Sequence, residues 1–403
     1  MEKQRPVSPV FKTLQSIPAP VILLIFARLI FLMVSTLQEI YGFGDVLHFF
    51  HMAQFNGLPF IAYWDEHPPL HAFLSKGLFF LAGGRENVYV NLLYLFFMGV
   101  DAGSLVLFRR LLRRCAGAPA SETLTWFFTI LLIALPYYWW YFDGMGVFWL
   151  LLSLEAMFSR KDGLSGFALA LSTLTKLFPI LFLAVVWRTL PWRRAAVISV
   201  ISLGIPLAVY GGLYAVSPQF TAASVASQFN KGSWESIGAL VDGNYQTGNF
   251  ATEIDHFYPE RAYELKRNPP VVNPLITLVL FAGVGLWAWI KGNLKTAAQV
   301  VSFLGFALCL LFIWSPGWSP QYVLFLIPLI LLSLPERDGL LLAALLVLVN
   351  LLEWPVLLSR GYNWTLLATV PIRTLLLGLA AILWGQQVLN KKAGQVESSR
   401  LNE

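Results

Sequence analysis

The chain consists of long apolar runs separated by short polar segments. About twelve runs can be marked, and most approach the roughly 20 residues that a helix needs to cross a bilayer. They are continuous rather than alternating, which favours helices over the strands of a membrane barrel. The runs lie near 20–40, 88–108, 123–140, 145–158, 164–176, 178–190, 195–216, 272–290, 296–314, 320–334, 338–358 and 363–388.

Composition supports a chain that lies mostly in lipid. Hydrophobic residues make up 57% of the 403 residues and charged residues only 12%, and the mean hydropathy is +0.65. A soluble protein carries about twice that charged fraction. The pattern therefore predicts an all-α, polytopic transmembrane helical bundle that forms one integral membrane domain over residues 1–403. The first run has no signal-peptide cleavage site and is predicted to be a signal anchor.

Basic residues determine the predicted topology, because they concentrate in cytoplasmic loops. Those before the first run and after the second are Lys3, Arg5, Lys12, Arg109, Arg110, Arg113 and Arg114. The short apolar stretch between these runs, about 68–83, contains His71 and Lys76, so we expect an interfacial helix there rather than a span. With the tail at Lys391-Lys392, both termini are then cytoplasmic. The net charge of +6 arises mostly from basic residues that flank spans. These residues do not form a nucleic-acid-binding surface.

Three polar segments fall on the predicted outer side, at 41–87, 218–271 and 314–322. The second mixes carboxylates, basic residues and aromatics, including Trp234 and Glu235, and suits either sugar binding or a soluble lid. The third is an aromatic belt or part of a pocket rim. The first outer loop has the densest polar chemistry: Asp45, His48, His51, Asp65, Glu66 and His67, followed by Pro68-Pro69. Charges beside membrane spans are costly to hold and often functional.

Asp45 is the candidate general base. A carboxylate that follows the first span can accept a proton from a hydroxyl group presented at the membrane surface. As an alternative, Asp45 caps the helix that follows it. Asp65, Glu66 and His67 are held by the following prolines. The two carboxylates are candidates to orient an acceptor, to bind a divalent metal or to hold His67. Their alternative is capping and solubility.

The first outer loop resembles that of the GT-C glycosyltransferases, which are integral membrane enzymes that use polyprenyl-phosphate sugars. The resemblance rests on Asp45 followed by HFFHMAQFNGLPFIAYWDEHPPL, on TLTKLFP around Lys176 and on YYWWYFDGMG around Asp143. The resemblance covers roughly residues 20–190. Within the superfamily, the motif pattern is similar to that of the mannosyltransferase-like branch. It implies a catalytic Asp45 and a lipid-phosphate donor. Lys176 is then placed to reach the donor phosphate, and Asp143 to hold the acceptor or first-loop residues.

Four further charged residues lie in or beside the predicted spans. Arg28 and Asp101 lie at similar estimated depths, which predicts a structural ion pair between the first two spans. Arg373 has only Glu353 as a candidate partner and is otherwise a candidate to face the donor phosphate. Arg261, at the basic end of the long outer loop, is a third phosphate candidate. Cys115 and Cys309 indicate neither a disulfide framework nor a metal site.

The predicted function is the transfer of a sugar, taken to be mannose, from a polyprenyl-phosphate donor to a hydroxyl of a glycan, lipid or protein. The predicted location is the extracytoplasmic face of a prokaryotic plasma membrane. The leaving group is already a phosphate, so no cofactor is obligatory, although Asp65 and Glu66 leave room for Mg²⁺ or Mn²⁺. A transporter or lipid flippase is the main alternative, and an oligosaccharide transferase with a diphosphate donor is another.

Overall fold

The computed structural model describes residues 18–41, 45–115, 121–248 and 253–390. The topology predictions that use Lys3, Arg5, Lys12 and Lys391-Lys392 lie outside these residues. So do residues 42–44, the part of the first-loop motif that immediately precedes Asp45.

The described chain folds into helices joined by irregular segments, as the sequence predicts. In its first half these are α1 (Ala19–Val34), α2 (Leu37–Tyr41), α3 (Val46–Gln54), α4 (Pro69–Leu81), α5 (Glu86–Cys115), α6 (Ser121–Ala134), α7 (Tyr137–Trp140), α8 (Asp143–Phe158) and α9 (Asp162–Thr175). The second half contains α10 (Phe182–Thr189), α11 (Trp192–Val216), α12 (Pro218–Phe229), α13 (Ile237–Asp242), α14 (Pro274–Lys291), α15 (Ala297–Trp314), α16 (Val323–Ser333), α17 (Glu336–Leu351) and α18 (Leu366–Leu389).

The all-α polytopic architecture is confirmed. Within the described residues, 6 helical segments are long and apolar enough to cross a membrane. They contain α5, α11, α14, α15, α17 and α18. Shorter apolar helices occupy the runs at 20–40, 123–140, 178–190 and 320–334, and α8 and α9 occupy the remaining two runs. The count of about twelve spans and the side on which each loop lies stay predictions.

Several predicted spans contain a break, and prolines account for some of the breaks. Pro136 separates α6 from α7, because proline has no N–H for the helical hydrogen bond. Pro179 and Pro320 each lie in a short 3₁₀ turn, before α10 and α16 respectively. After α17 the chain enters a π-helical segment, Leu352–Leu357, in which Trp354 has an extended conformation. Phe178, Gln321 and Trp354, which lie in three of these irregular segments, all line one cavity.

The predicted pair between Arg28 and Asp101 is confirmed. Arg28 Nη1 lies 3.0 Å from Asp101 Oδ2, and both side chains are 1% exposed. The guanidinium also donates to the Tyr94 hydroxyl and to the carbonyls of Leu132 and Tyr138. A buried charge is tolerated only when it is paired and hydrogen-bonded. This network joins α1, α5 and the turn at α6–α7.

Arg373 of α18 also has its predicted partner. Its Nη1 donates to Glu353 and its Nη2 to the backbone carbonyl of Glu235, and its guanidinium lies 4.7 Å from the centre of the Trp318 ring. Glu353 is 0% exposed. Arg373 is therefore enclosed in a structural cluster, which leaves it poorly placed for the predicted direct contact with a donor phosphate.

We expect Asp101→Ala to destabilise the protein strongly, because it leaves Arg28 charged and unpaired. Breaking a buried pair costs about 3–5 kcal/mol. Glu155→Ala is the control, since its partner Arg114 is 40% exposed and such pairs contribute about 0–1 kcal/mol. Thermal unfolding in detergent measures both. Equal small losses would show that the Arg28–Asp101 pair does not stabilise the bundle.

Candidate active site

The candidate site is a cavity of about 1030 Å³ at one end of the bundle. Its walls come from the carboxyl ends of α9 and α11 and from the segments that lead into α8 and α16. Successive helices in a bundle run in opposite directions, so these ends meet on the same side. The charged residues that line the cavity are Asp45, His48, Glu66, His67, Lys176, Lys231 and Glu235.

Asp45 lies at the start of α3 and lines the cavity. Asp45 occupies the N-cap position of α3, as the alternative predicted, but its side chain makes no capping hydrogen bond. Burial raises the pKa of this half-buried carboxyl, while His48 and His67 oppose the shift. A carboxylate with a raised pKa is a stronger base than an exposed one.

Glu66 joins the first outer loop to the long outer loop. Its Oε2 lies 2.6 Å from Lys231 Nζ, and its Oε1 lies 3.5 Å from His48 Nε2. Burial alone would raise the pKa of Glu66, but Lys231 and the two nearby histidines hold it well below its usual range. Burial opposes a charge on His48, yet the Glu66 and Asp45 carboxylates produce a net rise in its pKa.

Asp65 lies behind the cavity wall, and it is not among the residues that line the cavity. Its Oδ1 accepts hydrogen bonds from the backbone N–H of His67 at 2.8 Å and from His67 Nδ1 at 2.9 Å. This arrangement fixes the orientation of the imidazole. Asp65 is therefore placed to orient His67, which does line the cavity, rather than to touch a substrate itself.

Ligand atoms of His48, Glu66 and His67 lie within 4.8 Å of one another, so these residues are suited to hold a metal ion. A carboxylate behind a histidine, as Asp65 is here, commonly orients metal-binding imidazoles. Two imidazoles and one carboxylate suit Zn²⁺-like ions better than Mg²⁺. Lys231 already neutralises Glu66, so the carboxylate has a counter-ion without a metal.

Lys176 follows α9 and lines the cavity with its side chain 15% exposed. Its Nζ lies 3.4 Å from Asp143 Oδ1, 4.4 Å from the centre of the Phe142 ring and 5.0 Å from the centre of the Tyr322 ring. Asp143 is fully buried behind it and does not line the cavity. Lys176 is therefore a positioned cation, and Asp143 is its support.

The two outer loops are joined by reciprocal hydrogen bonds between Trp64 and His256. The backbone N–H of Trp64 donates to the His256 carbonyl at 3.0 Å, and His256 Nδ1 donates to the Trp64 carbonyl at 2.8 Å. Their rings stack at 4.0 Å. The indole N–H of Trp64 also bonds the carbonyls of Asp255 and Tyr258. This junction holds the first outer loop in place beside the cavity.

One wall of the cavity is apolar and exposed at the surface of the bundle. Leu207 and Tyr214 of α11 and Phe229 of α12 line it, and they are 71%, 54% and 76% exposed. Such exposure of large apolar side chains is expected where lipid is the solvent. The cavity therefore combines a charged end with an apolar side.

The structure brings together Asp45, Glu66, His67 and Lys176 among the predicted site residues, but not Arg261. That arginine is half exposed, pairs with Glu264 at 2.9 Å and does not line the cavity. Lys231 was missed by the sequence analysis, since nothing in its local sequence distinguishes it from other loop lysines. Its pairing with Glu66 depends on how the two outer loops meet.

Comparisons with known proteins give only a distant likeness. No protein-family model matches the chain, and no curated protein is significantly similar to it. The crystal structure of ArnT from Cupriavidus metallidurans bound to undecaprenyl phosphate is 14% identical, with a TM-score of 0.46, over 93% of this chain and 78% of that one. Its apo state gives 15% identity and 0.42, over 82% and 68%. A likeness at this level does not assign the chain to a family.

We expect Lys231→Met to destabilise the protein at neutral pH, because the ionised Glu66 loses its nearest counter-charge. The cost is about 1–3 kcal/mol, since the histidines still offset part of the charge. The folded pKa of Glu66 is depressed, so the stabilisation is present above the ordinary value of 4.5 and is lost as pH falls through the folded pKa.

Melting temperatures of wild type and Lys231→Met, measured from pH 7 downward, test this expectation. The difference should shrink in acid. Lys266→Met is the matched control, because its partner Asp255 is 17% exposed where Glu66 is 7% exposed. A difference that stays constant across the pH range would mean that the Lys231–Glu66 pair is not its source.

Proposed function

We propose that the protein is a membrane glycosyltransferase that moves a sugar from a polyprenyl-phosphate donor to an acceptor hydroxyl, with Asp45 as the general base. The observation that carries the proposal is the joint presence, in one cavity, of Asp45 without a capping bond, the positioned cation Lys176 and a lipid-facing apolar wall. Each part matches one part of the reaction: proton removal, departure of a phosphate, and a hydrocarbon tail.

The apolar wall supports a lipid-linked donor. A polyprenyl chain is hydrocarbon and gains nothing from an enclosed polar pocket, so it needs a groove that continues into the bilayer. Leu207, Tyr214 and Phe229 provide such a surface. Lys176 lines the same cavity and is rigidly held by Asp143 and two aromatic rings. A fixed ammonium group is well suited to bind a phosphate as a point charge.

The reaction follows from these positions. The acceptor O–H gives its proton to the Asp45 carboxylate while its oxygen attacks the anomeric carbon. The bond between that carbon and the phosphate oxygen breaks, and polyprenyl phosphate leaves with the electron pair. Lys176 stabilises the charge that develops on the leaving phosphate. A single displacement of this kind inverts the configuration at the anomeric carbon.

Two features bear on the metal requirement. The leaving group already carries a phosphate, and Lys176 provides positive charge, so transfer does not depend on a divalent ion. His48, Glu66 and His67 would hold such an ion if one binds, and it would supply further positive charge beside Asp45. The candidate ions named from the sequence, Mg²⁺ and Mn²⁺, fit this donor set less well than Zn²⁺.

A transporter or flippase fits the charge distribution less well. It would need charged groups along a path through the middle of the bundle. The Arg28–Asp101 and Arg373–Glu353 pairs, which do lie among the helices, are closed and buried. The open charges, by contrast, gather at one end, on loops and helix ends. We further propose that the transferred sugar is mannose and that the acceptor is a glycan, a lipid or a protein. Transfer takes place at the extracytoplasmic face of a prokaryotic plasma membrane.

We expect Asp45→Asn to lower kcat by about 10²–10⁴-fold, which is the usual contribution of a general base. The amide is nearly the same size, so binding of the donor should change little. The measurement is sugar transfer from short-chain polyprenyl-phosphate mannose by purified protein. Asp338→Asn, at an exposed position outside the cavity, is the control. Wild-type turnover in Asp45→Asn would refute the assignment of the base.

Removing the charge of Lys176 should slow transfer by about 10²-fold, because the leaving phosphate loses its stabilising cation. Lys176→Met tests the charge and Lys176→Arg restores it. Initial rates should recover in part with arginine, whose shape differs from that of lysine. If methionine and arginine variants were equally impaired, charge at this position would not be the cause.

A further inference from the structure

Glu235 is a buried carboxyl of the cavity that the proposed reaction leaves without a role. The loop that carries it is docked on residues 315–319. The backbone N–H of Trp234 donates to the Pro316 carbonyl at 3.2 Å, and the backbone N–H of Trp318 donates to the Trp234 carbonyl at 3.0 Å. The Trp234 ring packs so closely on Gly317 that an added Cβ would lie 2.3 Å from it. The backbone at Glu235 is therefore fixed from both sides.

The backbone of Glu235 is strained. Its φ is +47°, in the left-handed region that residues with a Cβ seldom adopt. Such a conformation persists only where the surroundings impose it, often at functional sites. Here the strain directs the side chain into the protein, where it is 3% exposed and lines the cavity.

The Glu235 carboxyl interacts electrostatically with Arg373 and Arg267 and shares a hydrogen bond with the Glu353 carboxyl. Arg373 donates one hydrogen bond from Nη1 to the Glu353 carboxylate and another from Nη2 to the backbone carbonyl of Glu235. Oε2 of Glu235 is buried with no hydrogen-bond partner among the described residues. Burial and the neighbouring Glu353 carboxyl raise the pKa of Glu235 well above its usual range. A neutral carboxyl offers one O–H donor and one acceptor.

Two tryptophans line the same cavity as this carboxyl: Trp234, its neighbour in sequence, and Trp354. An aromatic face beside a carboxyl that both donates and accepts is complementary to a sugar ring, with its apolar face and its hydroxyls. We infer that Glu235 is a substrate-binding residue that holds a hydroxyl of the donor sugar against these tryptophans. This inference rests on the proposed function and assigns one specificity-determining contact within it.

The position of Glu235 relative to Lys176 favours contact with the sugar of the donor rather than with the acceptor. Trp234 Nε1 lies 3.4 Å from Ser319 Oγ, and a single 3₁₀ turn, Pro320–Tyr322, connects Ser319 to the ring that contacts Lys176. Ser319 and Tyr322 both line the cavity. A phosphate on Lys176 would therefore place the attached sugar along the wall that leads to Glu235.

Equilibrium binding of two ligands tests the inference without requiring turnover. The ligands are short-chain polyprenyl phosphate carrying mannose, glucose or galactose, and the same lipid phosphate without a sugar. Glu235→Ala should weaken binding of the best sugar-bearing ligand about tenfold and leave the sugar-free ligand within about twofold. Glu235→Gln should bind both nearly as wild type does, because an amide also donates and accepts. Glu264→Ala, in the same outer loop outside the cavity, is the control.

Five outcomes decide the matter. The pattern above supports the inference. Equal weakening of both ligands in Glu235→Ala would assign Glu235 a structural role and overturn it, as would wild-type binding in that variant. A loss in Glu235→Gln as large as in Glu235→Ala would refute the neutral hydrogen-bonding carboxyl. If Glu235→Ala does not fold, Glu235→Gly replaces it, since glycine accepts a positive φ. Wild type that binds neither ligand would instead contradict the proposed function.

Discussion

The low dielectric of the bundle is the constraint on which the rest of this structure depends. A charge can be buried there only if another charge or a set of hydrogen bonds compensates it. Arg28–Asp101 and Arg373–Glu353 meet this condition by closing into pairs among the helices. The pairs in the cavity differ, because Lys176 and Glu66 are compensated yet still line an open space. Among the described residues, the pairs between helices are thus closed, whereas the paired charges of the cavity remain open to a ligand.

This distinction divides the charged residues by role. Asp143, Asp65 and Arg373 lie one layer behind the cavity and hold Lys176, His67 and Glu235 in place. A group that must act on a substrate benefits from such support, because a fixed side chain spends no entropy in reaching its reactive position. The same layering explains why several residues expected to touch substrate do not line the cavity.

Much of the fold could be predicted from the sequence, and less of the site. Apolar runs located the helices because lipid requires about 20 apolar residues for each crossing, and similar depths identified the Arg28–Asp101 pair. Asp45 stood out because charges are rare beside spans, and Lys176 stood out only through the resemblance of the TLTKLFP segment. Lys231 and the strained Glu235 did not, since their positions depend on how the long outer loop folds onto the first. Arg261 looked equivalent to them in sequence, but it faces solvent.

The central claim is that this cavity transfers a sugar away from a polyprenyl phosphate. Its most direct test is to incubate purified protein with short-chain polyprenyl-phosphate mannose, or the corresponding glucose and galactose lipids, plus crude membrane acceptors, and to measure released polyprenyl monophosphate. The account predicts release with one of the sugars, matched by glycosylated acceptor. No release from any phosphate-linked sugar, together with uptake of such a lipid or sugar into vesicles, would contradict it and favour a transporter.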